Sequence, residues 1–252
     1  MSKKILYTGL SFLLLLTVWQ LSVTLGQFNE ALFPGPLAVF QALFHLLLDG
    51  TLFVHIKDSL FRFVVGYISA AIVGITLGLV FGRSVFLWQL LEPSVQLLRP
   101  VSPVAWSPFI VLVFGIGDIP AIVIIFIAAF FPILLTTVKG VQSVEPHYIK
   151  LAKNMQFNRI ELYRKVIIPA TIPAIMGGLQ IALGTAWIFL VAGEMVGAQS
   201  GLGYLIVDAR NMLHLPKVFA GIIVIGLFGL LLDRTVELLQ RTLRKVGRLY
   251  IP

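Results

Sequence analysis

The residue types that usually carry out chemistry are sparse in this sequence. There is no cysteine, which removes thiolate nucleophiles, disulfides and thiolate metal ligands. The histidines stand singly, without the helical spacing that zinc ligands need. They are His45, His55, His147 and His214. The phosphate-loop pattern G-x-x-x-x-G-K-[ST] is absent, and no Ser/His/Asp arrangement stands out. We therefore predict no catalytic residue and no metal, and we do not expect this chain to be an ATPase.

Two charged residues lie inside long apolar stretches. Arg99 falls near the middle of one, where a charge at bilayer depth costs about 2.5–3.5 kcal/mol even on a lenient scale. Our hypothesis is that Arg99 lines a pathway and lowers the barrier for an anion. The alternatives are a structural ion pair, or a shorter span that puts Arg99 at the membrane surface. Glu194, near the end of another stretch, could pair with Arg99, shape an outer gate or reach water.

Prolines and serines interrupt the first of these stretches. Pro100, Pro103 and Pro108 free backbone carbonyls, which at membrane depth need a cavity or side chains to satisfy them. Ser102 and Ser107 add hydroxyl groups. This pattern favours a helix that lines a pathway, with a simple packing kink as the alternative.

The composition indicates that these stretches cross a membrane. The chain is 58% hydrophobic and 12% charged, with a mean hydropathy of +0.98. Soluble domains average about 45–50% apolar and about 25% charged residues. A water-soluble fold of 252 residues would have too few charges to cover its surface.

Six stretches are long enough to span a bilayer, which needs about 20 apolar residues of helix. They predict an all-α membrane protein with one transmembrane domain over residues 1–252. The spans are residues 5–25, 59–82, 88–114, 119–138, 172–196 and 218–239. The first could be a secretory signal, but it is long and has no clear cleavage site. Between spans one and two, a Pro-Gly-Pro run and the short segment Leu37–Leu48 predict an external interfacial helix that stops at Asp49-Gly50.

The basic residues predict the orientation. With the N-terminus in the cytoplasm, the 19 Lys and Arg residues divide into 14 cytoplasmic, 4 external and Arg99 within a span, as the positive-inside rule requires. The cytoplasmic residues are Lys3, Lys4, Arg83, Lys139, Lys150, Lys153, Arg159, Arg164, Lys165, Arg234, Arg241, Arg244, Lys245 and Arg248. The external residues are Lys57, Arg62, Arg210 and Lys217. Both termini are therefore expected in the cytoplasm, and the net charge of +8 does not indicate nucleic-acid binding.

The longest cytoplasmic connection, residues 139–169, predicts two short helices. Ser143 suits the cap of the first helix, and Pro146 falls in its first turn. Four residues then share one face at helical spacing. They are Tyr148, Leu151, Ala152 and Met155.

A break at Gln156-Phe157 separates the two helices. Asn158, with Glu161 three residues later, predicts a capping box for the second helix. Pro169 and Pro173 are expected to end that helix and begin span five.

This loop resembles a segment of a known family. Residues 148–169, YIKLAKNMQFNRIELYRKVIIP, are similar to the EAA loop of bacterial ABC-importer permeases. That pattern reads E-A-A, three residues, G, about nine residues, I-x-x-P. Ala152 matches the second alanine, and Val166 and Pro169 match the end. The flanking segments 99–108 (RPVSPVAWSP), 168–195 (IPATIPAIMGGLQIALGTAWIFLVAGEM) and 200–205 (SGLGYL) resemble the nitrate/sulfonate/taurine/bicarbonate branch of these permeases.

The loop departs from the family pattern at three positions. Lys150, Leu151 and Gln156 stand in place of the glutamate, the first alanine and the glycine. Glycine adopts a positive φ at little cost, whereas Gln156 would lose about 1 kcal/mol there. The turn could therefore differ in shape from that of the family.

The resemblance implies a type I ABC-importer (MetI-like) permease fold with a cytoplasmic coupling helix, in the bacterial cytoplasmic (inner) membrane. It implies that two copies form the pathway and that the loops dock on a cytoplasmic ATPase dimer, which holds ATP and Mg. An extracytoplasmic binding protein would deliver a small oxyanion or sulfonate. The residues assigned to ATPase coupling are Lys150, Leu151, Ala152, Met155, Gln156, Phe157, Asn158 and Glu161. The candidate pathway residues are Arg99, Ser102, Ser107 and Glu194.

Two other classes of membrane protein remain open. A secondary carrier or channel would work without an ATPase, although carriers often show paired broken helices in two halves, and none is visible here. A membrane-embedded enzyme would need clustered histidines or acids at membrane depth. Co-purification with an ATPase would distinguish these readings.

Overall fold

The computed structural model describes residues 2–26 and 32–247, and the side chains of residues 6–26 and 32–235. Every regular element in this part of the chain is helical, as predicted. The helices are α1 (Ser2–Leu25), α2 (Pro36–Leu48), α3 (Thr51–Arg83), α4 (Val85–Leu98), α5 (Ser107–Phe114), α6 (Asp118–Gln142), α7 (Pro146–Asn154), α8 (Arg159–Leu162), α9 (Ile168–Gly197), α10 (Leu202–Asn211) and α11 (Leu215–Gly247). A 3₁₀ turn, Pro103–Trp106, precedes α5, and a π-helical turn, Tyr163–Ile167, joins α8 to α9.

Five helical segments of the described chain are long and apolar enough to cross a membrane. They are Leu6–Leu25, Thr51–Arg83, Asp118–Gln142, Arg159–Gly197 and Leu215–Thr235. Each contains most of one predicted span, so spans one, two, four, five and six are confirmed as helices. Arg248, counted among the cytoplasmic charges, lies outside the described residues.

Predicted span three is not one continuous helix. The chain bends by 86° between α4 and the helical segment Pro103–Phe114. Pro100 and Pro103 lack the N–H that would continue the helix, and Ser102 takes an extended ψ of 131° before Pro103. Arg99 is therefore the C-cap residue of α4, at the break between the two helical halves of predicted span three. The described residues provide up to six segments of sufficient length and apolar composition when this bent pair counts as one span.

The described residues group into two compact units, within residues 1–58 plus 200–228 and residues 59–199 plus 229–252. In the first unit, α2 is the short helix predicted after the Pro-Gly-Pro run. It ends at Leu48, with Asp49 as its C-cap, and Gly50 follows with a φ of 75°. Trp19 stacks on Phe219 with ring centroids 5.8 Å apart.

In the second unit, the core lies along α6, which packs against α9 and α3. The largest buried side chains of α6 are Ile124, Ile125, Ile133 and Leu134. Glycines of α3 bring its backbone against α6. A Cβ atom on Gly78 would lie 2.5 Å from Cβ of Thr137, which is closer than real Cβ atoms approach. Span five contains the glycines Gly177, Gly178 and Gly184. A Cβ atom on Gly178 would lie within 4 Å of Thr136 and Pro132 of α6. A Cβ atom on either of the other two would have no neighbour within that distance.

The replacement Gly78→Val is expected to lower the free energy of unfolding by about 1–3 kcal/mol, because overpacking forces α3 away from α6. Thr137 is fully buried, and its hydroxyl donates to the Ile133 carbonyl at 2.7 Å, so it has little freedom to move. Thermal unfolding of the detergent-purified protein measures the change. Gly226→Val is the matched control, since a Cβ there meets nothing within 4 Å. Equal stability of the two variants would contradict the close α3–α6 contact.

Candidate functional site: a helical loop, a buried ion network and a cleft

The loop between α6 and α9 begins differently from the prediction. Ser143 does not cap α7; it follows the last residue of α6, where its hydroxyl donates to the Gly140 carbonyl at 2.8 Å. The N-cap position of α7 is taken by Glu145, without a side-chain cap. Pro146 occupies the first turn of α7, as predicted. The physical reason is that α6 runs on to Gln142, so the next helix starts later and Ser143 completes the previous one.

The predicted face of α7 divides into a buried and an exposed part. Ala152 is buried, whereas Tyr148, Leu151 and the C-cap residue Met155 are 54%, 49% and 61% exposed. The three exposed residues recur at helical spacing, so α7 presents an apolar stripe away from the unit to which it belongs.

The turn after α7 keeps the shape that glycine usually provides. Gln156 has a φ of 58°. The Phe157 N–H donates to the Ala152 carbonyl at 3.0 Å, and the Gln156 N–H donates to the Lys153 carbonyl at 2.9 Å. These two bonds form a Schellman motif, with Gln156 in the left-handed position. The expectation that glutamine could change the shape of the turn is therefore wrong.

The replacement Gln156→Gly is expected to stabilise this turn by about 1 kcal/mol, since the left-handed conformation costs an L-residue about 1–2 kcal/mol. Gln156→Val should destabilise it, because a branched Cβ fits a positive φ poorly. Hydrogen exchange of the Phe157 amide reports on the turn directly. The rate should fall in the glycine variant and rise in the valine variant. Unchanged rates in both would show that the turn carries no strain.

The second part of the loop begins with the predicted capping box. Asn158 Oδ1 accepts a bond from the Glu161 N–H at 2.8 Å, and Glu161 Oε2 accepts one from the Asn158 N–H at 3.1 Å. Lys165 adds an ion pair to Glu161 at 3.0 Å and lies 4.8 Å from the centre of the Phe157 ring. The loop is thus held in shape by its own side chains.

Pro169 and Pro173 had been predicted to end the second helix. They do not. The chain stays helical from α8 into α9 through the π turn, in which the Ile168 N–H bonds to the Tyr163 carbonyl. Pro169 has no N–H and its ring crowds the preceding turn, and a wider turn accommodates both effects. The loop is therefore joined to α9 by continuous helix.

A buried ion network lies where α3, α6 and α9 meet. Arg62 and Glu194 are each 1% exposed. Arg62 Nη1 bonds to Glu194 Oε1 at 2.7 Å, and Arg62 Nη2 lies 2.6 Å from Asp118 Oδ1. The Ser59 hydroxyl contacts both carboxylate oxygens of Glu194, at 2.7 and 2.9 Å. One guanidinium therefore bridges two carboxylates on different helices.

This network corrects two sequence assignments. Glu194 pairs with Arg62, not with Arg99. Arg62 had been counted among the external charges, but α3 begins at Thr51, so Arg62 lies about 16 Å along the helix. The sequence contained a usable signal: Arg62 falls inside predicted span two, where burying its charge costs as much as burying that of Arg99.

The predicted pathway residues do not lie together. Arg99 and Ser102 line a cleft of about 520 Å³ bounded by α6, α9 and the break after α4. Ser107 is buried at the start of α5, and Glu194 belongs to the ion network. Their role in a pathway stays a prediction. Among the described side chains, no group of three or more His, Asp and Glu residues is placed to hold a metal ion.

Comparison with known proteins gives consistent matches over most of the chain. Residues 70–245 match the family described as "Binding-protein-dependent transport system inner membrane component". The nitrate import permease protein NrtB of Leptolyngbya laminosa is 40% identical over 238 residues, covering 91% of this chain and 84% of that protein. The taurine transport system permease protein TauC of Escherichia coli K12 is 36% identical over 234 residues, covering 91% and 85%.

The fold also matches a solved structure. An inward-facing form of the MetNI methionine ABC transporter aligns with a TM-score of 0.57 at 20% identity, covering 72% of this chain and 92% of the matched chain. This likeness confirms the MetI-like permease fold. The chain therefore belongs to the family of binding-protein-dependent transport system inner membrane components and is a multi-pass permease subunit of an ABC importer.

Proposed function

We propose that this permease couples ATP hydrolysis in a cytoplasmic ATPase dimer to the import of a small oxyanion or sulfonate. The observation that supports the ATP-driven part is the exposed apolar stripe of α7, formed by Tyr148, Leu151 and Met155. A short helix with such a stripe suits insertion into a hydrophobic groove of a partner protein. Two copies of the chain would enclose the pathway, each docked on one ATPase subunit, with both termini in the cytoplasm.

The charges around the stripe indicate the chemistry of the groove. Lys150, one position before Leu151, and Arg159, at the start of α8, are exposed to solvent. The family's glutamate is replaced by Lys150, so an acidic rim on the ATPase groove would complement this loop. ATP and Mg would be bound by the ATPase, which leaves this chain without a cofactor.

The connection to α9 suggests how motion of the loop would reach the membrane. The loop continues through the π turn Tyr163–Ile167 into α9, whose other end carries Glu194. A helix transmits displacement along its axis, and a π turn is a common point of adjustment within a helix. A shift of α7 would therefore move α9 as one body against α6.

The substrate class rests on the relatives and on the charge. NrtB and TauC are named for nitrate and taurine, and bicarbonate and alkanesulfonates likewise present a negatively charged group of oxygens. An extracytoplasmic binding protein would deliver the anion, in keeping with the family description. The guanidinium of Arg99 in the cleft favours an anion over a cation.

The test uses the chain co-expressed with its ATPase and reconstituted into proteoliposomes. Uptake of nitrate or taurine is measured with ATP supplied to the ATPase side and a loaded binding protein on the other side. We expect uptake that requires ATP and stops with a non-hydrolysable analogue. Uptake driven by an ion gradient without ATP would instead identify a secondary carrier.

A further inference from the structure

The cleft beside the break after α4 has an unusual set of charges. Arg99 and Lys139 both line it, and none of its lining residues in the described chain is acidic. Neither cation has an ion-pair or side-chain hydrogen-bond partner among the described residues. Lys139 had been counted only as a cytoplasmic charge that orients the spans. Both residues are exposed, and an anion bound in the cleft would be attracted by the two cations.

Two of the three side-chain hydroxyl groups that line the cleft are not free to donate a hydrogen bond to a ligand. Thr136 already donates to the Pro132 carbonyl at 2.7 Å, and Thr185 donates to the Ala182 carbonyl at 3.0 Å. Their protons are therefore engaged by their own helices. The groups left to donate to a ligand are Arg99, Lys139 and Ser102.

The rest of the lining is apolar, with Phe131, Ile181 and Phe189 among its members. Apolar walls lower the local dielectric constant and strengthen the field of the two cations. The volume of about 520 Å³ lies within the range of about 300–1,000 Å³ typical of small-molecule sites. Such walls also suit the carbon chain of an organic sulfonate.

We propose that this cleft is an anion site within a single permease subunit, with Arg99 and Lys139 as its two charged groups. Its ligand is a small singly charged oxyanion or sulfonate. The identity of the ligand as a transported substrate rests on the proposed function, whereas the preference of the cleft for anions does not.

The absence of cysteine in the natural chain allows a direct test. Ser102→Cys places a single thiol in the cleft of the purified, lipid-reconstituted permease. Its reaction rate is measured with an anionic reagent, (2-sulfonatoethyl) methanethiosulfonate, and with a cationic one, 2-(trimethylammonium)ethyl methanethiosulfonate. Relative to the same ratio at Asn211→Cys, an exposed position that does not line the cleft, the anionic-to-cationic rate ratio should be raised about tenfold.

Charge-removing variants assign the effect to the two cations. Arg99→Gln and Lys139→Gln should each lower the ratio at Ser102→Cys by about fivefold, whereas Arg83→Gln, an exposed cation outside the cleft, should leave it unchanged. If neither cleft variant changes the anionic-to-cationic rate ratio, the proposal is overturned. If Ser102→Cys and Thr185→Cys react with neither reagent, the cleft is closed to anions and the proposal is also overturned. No ATPase or transported substrate is needed, so this result is independent of the uptake experiment.

Discussion

Replacement of Arg62 by methionine is expected to lower the free energy of unfolding of this permease by about 3–5 kcal/mol, as for other buried ion pairs that lose one partner. The variant leaves the Glu194 carboxylate, which is 1% exposed, without the guanidinium 2.7 Å away. It also removes the bridge from α3 to Asp118 on α6. Because three helices meet at this one side chain, we expect the loss to be larger than that of any exposed charge.

Thermal unfolding of detergent-purified variants tests this expectation. Lys57→Met also replaces a positive charge by methionine, at an exposed position of α3, and serves as the control. Asp118→Asn should cost about 1 kcal/mol at most, because the Asp118 side chain is 54% exposed and water replaces part of the bond. The double variant Arg62→Met/Glu194→Met should recover much of the lost stability. An Arg62→Met protein as stable as the Lys57→Met protein would refute a structural role for the network.

The ion network also shows where sequence reasoning reached its limit. The apolar stretches around Arg62 and Glu194 are visible in the sequence, and the cost of burying a charge predicts that each needs a partner. Which partner it finds depends on which helices pack together. The α3–α6 contact relies on glycines such as Gly78, and the pairing of Arg62 with Glu194 is a property of three-dimensional packing, not of spacing along the chain.

The sequence predicted structure more accurately where the hydrogen bonds join residues that are close in sequence. The capping box of Asn158 and Glu161 and the break at Gln156 were both predicted, because their hydrogen bonds join residues three to five positions apart. The prolines around Arg99 were correctly taken as an interruption. The 86° bend was not predicted, because a proline removes a bond without fixing the direction of the next helix.

The double replacement Leu151→Gln/Met155→Gln on α7 is expected to weaken binding of the ATPase about tenfold or more and to abolish most ATP-driven uptake. Both side chains are about half exposed, so docking would bury the remaining half. Full burial of such a side chain contributes about 1.5–3 kcal/mol, so two half-burials contribute about that amount together. A loss of 1.4 kcal/mol corresponds to about a tenfold rise in Kd.

The measurement pairs titration of the ATPase onto reconstituted permease with uptake in proteoliposomes. Lys153→Gln, on the opposite side of α7, is the control and should bind and transport nearly as the natural protein does. Thermal unfolding of the double variant should change little, because both replaced side chains are about half exposed in the permease alone. A variant that unfolds normally, binds the ATPase with undiminished affinity and still transports would exclude the stripe on α7 as the docking surface. Loss of uptake with intact binding would instead place these residues in the transmission of motion to α9.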